Sequence, residues 1–307
     1  MTEKTEKAIL RIVHAAEIAE HRGNKLVLAY SGGKDSDVLL DLALKSGVNF
    51  IVQHNHTTVD APETVAHIKE VFAELRERGI KSTINMPEKI EVNGKLVTAS
   101  MWNLIVKKKS PPYRTRRYCC EFLKERKFDG QHIMTGVRWA ESPKRKTRGL
   151  HEKLDKNEAK RIVYFDENDD AQKLTSICQL RSRIATNPVI DWSDADVWCY
   201  IKENKLKINP LYGLGFSRVG CIGCPMASLK MRNLEFQMYP KYKTAYIRAF
   251  QKMIDNFKKE GLKNPLTDEW KDGKSVFEYW LRPLPKKCEP DTRQISLFDT
   301  EEDDDDL

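Results

Sequence analysis

The sequence predicts an α/β fold with a doubly wound, mostly parallel sheet flanked by helices. Short apolar runs alternate with longer amphipathic segments, and this alternation is typical of βαβ units. The run at 25–30 is short and nearly continuous, as expected for a strand that is buried on both faces. A glycine-rich turn follows it directly, and in open α/β sheets the carboxyl ends of the strands are where ligands gather.

The elements follow one another regularly over the first two thirds of the chain. Apolar spacing predicts helices at 6–20, 37–45, 61–79 and 194–204, and strands at 25–30, 49–54, 80–85 and 132–136. Ser193 is a suitable N-cap for the helix that begins at Asp194. The stretch at 137–185 is polar and basic, so we expect a long surface excursion there.

The last third of the chain is predicted to be mostly helical over 227–259. Its aromatic side chains are expected to pack in a core rather than to stack on bases; they are Phe236, Tyr239, Tyr242, Tyr246, Phe250 and Phe257. From Leu284 onward, proline, charge and short apolar pieces predict a mobile tail.

Composition excludes several classes of protein. The 307 residues are 40% hydrophobic and 32% charged, and the mean hydropathy is −0.60. No stretch approaches the roughly 20 apolar residues of a membrane helix, and residues 1–13 do not resemble a secretory signal. The seven cysteines are therefore expected to be free thiols or metal ligands in a reducing cytoplasm, with no membrane partner.

The charge is distributed unevenly along the chain. The net charge is +8, and seven acidic residues lie within 299–306, so residues 1–298 carry +15. A basic body of this kind suits a polyanionic partner, either DNA or RNA or a nucleotide with several phosphates. A merely solvated basic surface would give the same composition.

The strongest local signal is the turn from Ser31 to Ser36, which reads Ser-Gly-Gly-Lys-Asp-Ser between a strand and a helix. Two glycines let the backbone approach a ligand closely, and successive N–H groups at a helix N-terminus attract anions. Lys34 adds a full positive charge. The turn is neither a Walker A loop nor a GxGxxG fingerprint, and we expect it to hold phosphates.

This turn resembles the SGGxDS signature of the PP-loop superfamily, the adenine-nucleotide α-hydrolases. In that family the loop holds the β,γ-pyrophosphate of ATP while the α-phosphorus is attacked, which gives pyrophosphate and an adenylated substrate or AMP. The resemblance implies that Ser31, Gly32, Gly33 and Ser36 bind pyrophosphate, that Lys34 neutralises it, and that Asp35 helps to hold Mg²⁺. Together with the composition of the last third, this organisation predicts a nucleotide-binding domain at 1–215, a cysteine-containing helical region at 216–285 and a flexible acidic tail at 286–307.

Three further segments resemble the phosphoadenosine-phosphosulfate reductase branch of that superfamily. They are residues 60–64, residues 135–145 (similar to TGxRxxES.xR) and residues 188–198 (similar to PVxDWxxxDVW). The resemblance implies that Arg138 is catalytic, together with Lys34 and Asp35. It adds these nucleotide-binding residues: Glu63, Thr64, Gly136, Arg138, Glu141, Ser142 and Arg145.

The chain also departs from the sulfonucleotide reductases, which resemble one another in a C-terminal Glu-Cys-Gly motif. The one late cysteine, Cys288, lies in Lys-Lys-Cys-Glu-Pro and lacks that glycine. The intact loop suits pyrophosphate, which a sulfonucleotide does not carry. Both features favour ATP cleavage, and an adenylyl-sulfate or phosphoadenylyl-sulfate reductase that uses Cys288 is the alternative.

Four cysteines form a pattern of their own. The pair Cys119-Cys120 and the CxxC of Cys221 and Cys224 resemble the four-cysteine [4Fe–4S] site of adenylyl-sulfate reductases. Structural zinc and unliganded thiols are the alternatives. Cys178 and Cys199 have no partner spacing and are interpreted as packed side chains. His54-Asn55-His56 ends a strand outside any ββα context, so the sequence favours neither a metal site nor an HNH nuclease there.

The tail contains Gln294-Ile295-Ser296-Leu297-Phe298, which looks like the pentapeptide that docks bacterial replication proteins on the sliding clamp. Gln294 would offer amide hydrogen bonds, and Leu297 and Phe298 would fill an apolar groove.

The preferred hypothesis is an ATP pyrophosphatase that adenylates its substrate for iron–sulfur-assisted sulfur transfer, with similarity to DNA phosphorothioation systems and with a sulfur donor protein. A non-catalytic nucleotide-binding module associated with DNA or with the clamp is the hypothesis from a different class.

Overall fold

The computed structural model describes residues 2–125, 128, 130–154, 162–164, 183–261 and 269–283. A seven-stranded sheet forms its centre, in the order β3-β2-β1-β6-β9-β7-β8. Its strands are β1 (Leu26–Ala29), β2 (Phe50–Asn55), β3 (Ser82–Asn85), β6 (His132–Met134), β7 (His151–Leu154), β8 (Ile162–Tyr164) and β9 (Arg183–Thr186). A separate hairpin pairs β4 (Lys89–Val92) with β5 (Lys95–Thr98).

Helices connect these strands and cover the sheet. They are α1 (Thr2–His21), α2 (Lys34–Ser46), α3 (Pro62–Glu77), α4 (Met101–Lys108), α5 (Tyr118–Cys120), α6 (Asp194–Glu203), α7 (Leu229–Met238), α8 (Pro240–Lys259) and α9 (Gly273–Trp280). The predicted α/β fold is confirmed, and Ser193 caps α6 by accepting a hydrogen bond from the Asp196 N–H. Within the described ranges, no helix combines the length and apolarity that crossing a bilayer requires.

The strand order places a topological switch point between β1 and β6. The five strands β3, β2, β1, β6 and β9 are all parallel. The chain moves outward in one direction from β1 to β3 and in the other direction from β6 to β9. The loops that leave β1 and β6 therefore diverge and open a crevice at the carboxyl ends of these two strands, where α/β sheets bind ligands.

The stretch at 137–185 was expected to be a surface excursion, and this is wrong for part of it. β7 and β8 extend the sheet as antiparallel strands with β8 at the edge, and β9 lies within the sheet between β6 and β7. The Glu152 carboxylate is fully buried, and it accepts hydrogen bonds from Arg148 and from the Gly149 N–H. Strands of three or four residues with polar side chains give too little apolar alternation to be recognised in the sequence.

Among the described residues, two large hydrophobic cores lie on different parts of the chain, and a small third cluster forms around Val27 and Ile133. One surrounds the sheet and is formed by α1, α2, α3 and α6. The other joins α4 and the Cys119 segment to α7, α8 and α9. Tyr239, Tyr246, Phe250, Phe236 and Phe257 are buried in this second core and Tyr242 is packed against it, so the prediction that these aromatics form a core is confirmed. Cys178, Cys288 and the predicted tail with Gln294, Leu297 and Phe298 lie outside the described residues.

Candidate functional site

The glycine-rich turn lies between β1 and α2, on the crevice between β1 and β6. Gly33 is the N-cap of α2, and the Ser36 hydroxyl donates to the Gly33 carbonyl oxygen at 2.7 Å while it accepts from the Gly33 N–H at 3.1 Å. Gly32 has φ = +73°, and a Cβ there would lie 2.9 Å from Cγ1 of Ile68. Both the backbone angle and the contact require glycine at position 32.

Residues far along the chain hold this turn in place. Asn209 donates from Nδ2 to the Gly32 carbonyl oxygen at 2.9 Å and to the Thr64 hydroxyl at 3.0 Å. The Tyr212 hydroxyl accepts a hydrogen bond from the Lys34 N–H at 3.0 Å. Sequence reasoning missed Asn209 and Tyr212, because no motif connects the segment after α6 with a loop almost 180 residues earlier.

Two cations and two carboxylates meet at the mouth of the turn. The Arg138 side chain is 1% exposed and donates to Asp35 and to Asp194, each at 2.7 Å. The Lys34 ammonium lies 3.1 Å from an Asp35 oxygen and 3.3 Å from an Asp194 oxygen. The hydrogen bond from Arg138 holds the pKa of the Asp194 carboxyl below its usual value. The cluster is electrically balanced, so an arriving anion competes with these carboxylates for Lys34 and Arg138.

Asp194 is a member of this cluster that the sequence analysis did not select. It is the first residue of α6 and follows the N-cap Ser193, so the sequence explained it as part of a helix start. The site residues around it that the sequence did select lie in the loops after β1 and β6. A carboxylate in the first turn of a helix is common because it interacts favourably with the helix N-terminus, so the sequence alone gives no sign that Asp194 belongs to a site.

The loop after β6 packs directly against the glycine-rich turn. A Cβ on Gly136 would lie 2.9 Å from the Asp35 carbonyl oxygen, so the two backbones are in close contact. Glu141 accepts from the Arg138 N–H at 2.9 Å and pairs with Arg145 at 2.9 Å. The Ser142 carbonyl oxygen accepts from the Arg145 N–H at 2.8 Å. This loop therefore holds Arg138 against the glycine-rich turn.

The two nucleotide-binding residues predicted at the start of α3, Glu63 and Thr64, face different partners. The Thr64 hydroxyl faces the turn through Asn209, whereas the Glu63 carboxylate accepts a hydrogen bond at 2.6 Å from the Tyr239 hydroxyl. Glu63 thus connects the sheet domain with the helical region that follows α7. The structure brings the turn together with Thr64, Gly136, Arg138, Glu141 and Arg145, and it gives Glu63 a different partner.

The four predicted cysteines converge on one pocket, which Thr57, Met101, Leu123, Lys124 and Pro225 also line. Cys119 and Cys221 are buried, and Cys120 and Cys224 are half-buried. Gly223 has φ = +72°, and a Cβ there would lie 2.6 Å from the Phe236 ring, so the CxxC loop also requires its glycine. Two segments more than 90 residues apart therefore present their sulfur atoms to the same small space.

The thiols differ in acidity because their neighbours differ. Cys119 donates a hydrogen bond to Cys120, which with nearby Lys124 and Arg117 lowers the pKa of Cys120 to about 6 and raises that of Cys119. Burial raises the pKa of Cys221 to about 11. The negative charge of these sulfurs in turn raises the pKa of Lys124, which remains a cation at the pocket. A positive group beside thiolates is the environment that metal-binding and reactive cysteines use.

The thiol pocket is connected by backbone hydrogen bonds to the carboxyl end of the sheet, where the glycine-rich turn lies. The Ile222 N–H donates to the Val59 carbonyl oxygen at 2.8 Å, and Asp60 and Cys221 form an antiparallel bridge. Both Val59 and Asp60 lie in the loop that leaves β2, and β2 is the parallel neighbour of β1. The thiol pocket and the glycine-rich turn thus follow two adjacent strands.

The comparisons with known proteins agree with this architecture. The phosphoadenosine phosphosulfate reductase domain matches residues 25–227. Two uncharacterised proteins of Methanocaldococcus jannaschii, MJ0066 and MJ0973, are 29% and 30% identical over 70% and 84% of the chain. The chain spans only 39% and 54% of their lengths. The adenosine 5'-phosphosulfate reductase of Lysinibacillus sphaericus is 26% identical over 69% of this chain and 78% of its own.

Two solved structures that resemble this chain are less similar to it in sequence than these relatives. The phosphoadenylyl-sulfate reductase of Candida auris is 19% identical, covers 64% of this chain and 81% of its own, and has a TM-score of 0.39. The U34-tRNA thiolase NcsA of Methanococcus maripaludis is 15% identical, covers 93% and 81%, and has a TM-score of 0.36. Because the domain match covers most of the chain, from β1 to the CxxC loop, the chain belongs to the phosphoadenosine phosphosulfate reductase domain family of the PP-loop superfamily.

Proposed function

We propose that this protein is an ATP pyrophosphatase that adenylates a substrate and prepares it for sulfur transfer. The observation that carries the proposal is the position of the glycine-rich turn and the four-thiol pocket on the loops after the adjacent strands β1 and β2. A nucleotide bound at the first would lie beside the sulfur chemistry of the second. The proposed nucleotide-binding domain spans 1–215, and the region at 216–285 completes the thiol pocket.

The turn is suited to a leaving pyrophosphate. Backbone N–H groups of Ser31 and Gly32 and the N-terminus of α2 would receive the β- and γ-phosphates of ATP, and Lys34 and Arg138 would neutralise them. An acceptor oxygen then attacks the α-phosphorus, the bond to the bridging oxygen breaks, and pyrophosphate leaves in the turn. The contribution of the protein is positioning and charge neutralisation rather than covalent chemistry.

The charge cluster also fits Mg²⁺. Asp35 and Asp194 offer the carboxylate oxygens that this ion prefers, and their present partners are the two cations that phosphate would take. When bound with ATP, Mg²⁺ would neutralise charge on the phosphates. Exchange of partners would free Lys34 and Arg138 for the nucleotide without leaving a carboxylate unpaired.

The thiol pocket fits an iron–sulfur cluster better than a single zinc ion. Among the described residues, no three of the four sulfur atoms lie within 4.8 Å of one another. In tetrahedral zinc sites with bonds of about 2.3 Å, the sulfur atoms are only about 3.8 Å apart. Cys119, Cys120, Cys221 and Cys224 would hold a [4Fe–4S] cluster, which would supply redox and Lewis-acid chemistry beside the nucleotide.

The nature of the acceptor follows from charge and from the logic of adenylation. Attack on ATP makes an acceptor oxygen part of a good leaving group, AMP, which a sulfur nucleophile from a donor protein then displaces. Residues 1–298 carry a net charge of +15, which favours DNA or RNA as the acceptor. We further propose that Gln294, Leu297 and Phe298 dock on a sliding clamp.

One finding favours a second candidate. Relatives over two thirds of the chain are named adenosine 5'-phosphosulfate reductases, and reduction of a sulfonucleotide would use the same sheet edge. That reaction requires a nucleophilic cysteine such as Cys288. The two candidates differ in the phosphates that they bind, because a sulfonucleotide carries no β,γ-pyrophosphate.

A paired assay on the full chain separates the candidates. The anaerobic protein is incubated with Mg-ATP, with DNA or with tRNA, and pyrophosphate and AMP are measured; a parallel sample receives adenylyl sulfate with thioredoxin, and sulfite is measured. We expect pyrophosphate that disappears in Lys34→Ala and persists in Lys45→Ala, which changes a lysine at the opposite end of α2. Sulfite production that requires Cys288 would contradict ATP cleavage. Nucleotide binding without any product would leave a non-catalytic module.

A further inference from the structure

Two histidines and an aspartate meet at the carboxyl end of β2. The Asp60 carboxylate lies 3.1 Å from Nδ1 of His56 and 3.8 Å from Nε2 of His54. One ligand atom of each residue lies within 4.8 Å of the other two, and no other group of three His, Cys, Asp or Glu residues does so in the described part of the chain. The cluster shares no ligand residue with the four-thiol pocket but adjoins it, because Thr57 lines that pocket and Asp60 forms a β-bridge with Cys221.

The His54 ring is fixed with one nitrogen unused. Its side chain is 6% exposed, and Nδ1 donates to the Tyr30 carbonyl oxygen at 2.9 Å. Nε2 is buried and makes no hydrogen bond. With the proton on Nδ1, Nε2 presents a lone pair toward Asp60 and His56. A buried ring nitrogen without a hydrogen bond is costly in a folded protein, and the Asp60 oxygen at 3.8 Å is too distant to supply one, so this atom calls for an explanation.

The carboxylate is fixed in a similar way. Thr57 donates to Asp60 twice, from its N–H at 2.7 Å and from its hydroxyl at 2.7 Å. Metal-bound histidines almost always donate their second N–H to a carbonyl or carboxylate oxygen, and metal-bound carboxylates are themselves hydrogen-bonded. The Tyr30 carbonyl oxygen and Thr57 already supply these outer contacts for His54 and Asp60.

We propose that His54, His56 and Asp60 bind one divalent transition-metal ion, with Zn²⁺ as the best match. Two imidazole nitrogens and one carboxylate oxygen are a common ligand set for such ions. Bonds of about 2.0–2.2 Å place ligand atoms roughly 3–3.5 Å apart, so the present spacing requires only small rotations. Three protein ligands leave a coordination position open. Sequence reasoning rejected a metal site at His54 and His56 because they lie outside any ββα context, and it did not connect them with Asp60.

Charged neighbours limit which ion is acceptable. Asp60 lies within electrostatic range of Lys124 and of Cys221, whose Sγ donates to the Thr57 hydroxyl at 3.4 Å. Lys124 opposes an added cation, and one carboxylate is a weak attraction for Mg²⁺ or Ca²⁺, which prefer several oxygen ligands. Only a transition metal binds imidazole strongly enough to compensate for the small negative charge of this cluster.

The test uses zinc alone on the full chain, with Ser at positions 119, 120, 221 and 224 so that the thiols do not bind it. Calorimetry with ZnCl₂ should show one site per chain. His56→Ala and Asp60→Asn should each weaken binding by at least about 100-fold, since loss of a ligand exceeds the 10–100-fold typical of outer contacts. His14→Ala, a histidine on α1, is the matched control and should bind as the parent does.

Two further readouts protect the test against folding defects. Zinc should raise the melting temperature of the parent and of His14→Ala but not that of His56→Ala, and circular dichroism should be the same for all. In the chain with serine at the four cysteine positions, Co²⁺ should give d–d absorption without a thiolate charge-transfer band, and His56→Ala should remove that absorption. Absence of a stoichiometric site, or equal affinity in His56→Ala, Asp60→Asn and the parent, would overturn the proposal.

Discussion

Replacement of Glu235 by glutamine should remove a pH dependence from the stability of this protein. Glu235 lies on α7, is 6% exposed, and accepts a hydrogen bond at 2.7 Å from the Gly223 N–H in the CxxC loop. Burial raises the pKa of its carboxyl from 4.5 to about 7, against the lowering effect of the Gly223 N–H. The glutamine side chain keeps an oxygen for that N–H but cannot ionise.

The sign of the effect follows from the raised pKa. Between pH 4.5 and 7 the folded protein keeps a proton that the unfolded chain has released, so stability falls as pH rises through this window. At 1.36 kcal/mol per pKa unit, the full loss is about 3 kcal/mol, of which about 2 kcal/mol falls between pH 5 and pH 8. Glu235→Gln should therefore be nearly as stable as the wild type at pH 5 and more stable by about 2–3 kcal/mol at pH 8.

Urea unfolding of the metal-free protein, followed by tryptophan fluorescence at pH 5 and pH 8, measures the difference. All other titrating groups are common to both proteins and cancel in the comparison. Glu77→Gln is the matched control, because Glu77 is exposed at the end of α3 and its substitution should leave the pH profile of the wild type unchanged. A Glu235→Gln profile parallel to that of the wild type would refute the assigned burial of a neutral carboxyl.

Three further predictions concern the candidate sites. Lys34→Ala should lower pyrophosphate release by roughly 100-fold, as loss of one preorganised charged donor does, in a coupled assay with Mg-ATP; an unchanged rate would remove Lys34 from the chemistry. Gly32→Ala should cost about 1–3 kcal/mol, because its φ is +73° and its Cβ would meet Ile68, and the melting temperature reports it; Gly94→Ala has an equally positive φ but nothing within 4 Å, so it should cost less. Cys224→Ser should lower iron and acid-labile sulfide in anaerobically prepared protein, whereas Cys199→Ser, at an exposed thiol on α6, should not; equal iron in both would contradict the cysteine site.

Much of the fold could be predicted because local signals and the global fold agree. The apolar run at 25–30 became β1, and the glycine-rich turn indeed begins a helix at Lys34. The hairpin β4–β5 was missed, although Asn93 and Gly94 both have positive φ at its turn. β4 reads Lys-Ile-Glu-Val and alternates polar with apolar residues, and Asn93-Gly94 is a typical hairpin turn pair, so the sequence carried a signal for this hairpin that the prediction did not use.

The site could be predicted only where residues lie inside a motif. The turn and Arg138 were selected because they resemble family segments, and the structure places them in direct contact. Asp194 lies inside the segment at 188–198 but at one of its variable positions, and Asn209 and Tyr212 lie outside every motif, so all three reach the turn only through the tertiary fold. Asp60 shows the same limit, since the sequence considered His54 and His56 without it, and the loop after β2 brings its carboxylate to both rings only in the fold.

The position of bond cleavage in ATP tests the central claim most directly. ATP with ¹⁸O in the oxygen that bridges the α- and β-phosphorus atoms is turned over by the full chain, and the products are separated for mass spectrometry. If the turn holds the β,γ-pyrophosphate while the α-phosphorus is attacked, the label leaves in pyrophosphate whatever the acceptor is. Label retained in ADP with release of phosphate, or label found in AMP, would contradict the assigned role of the turn.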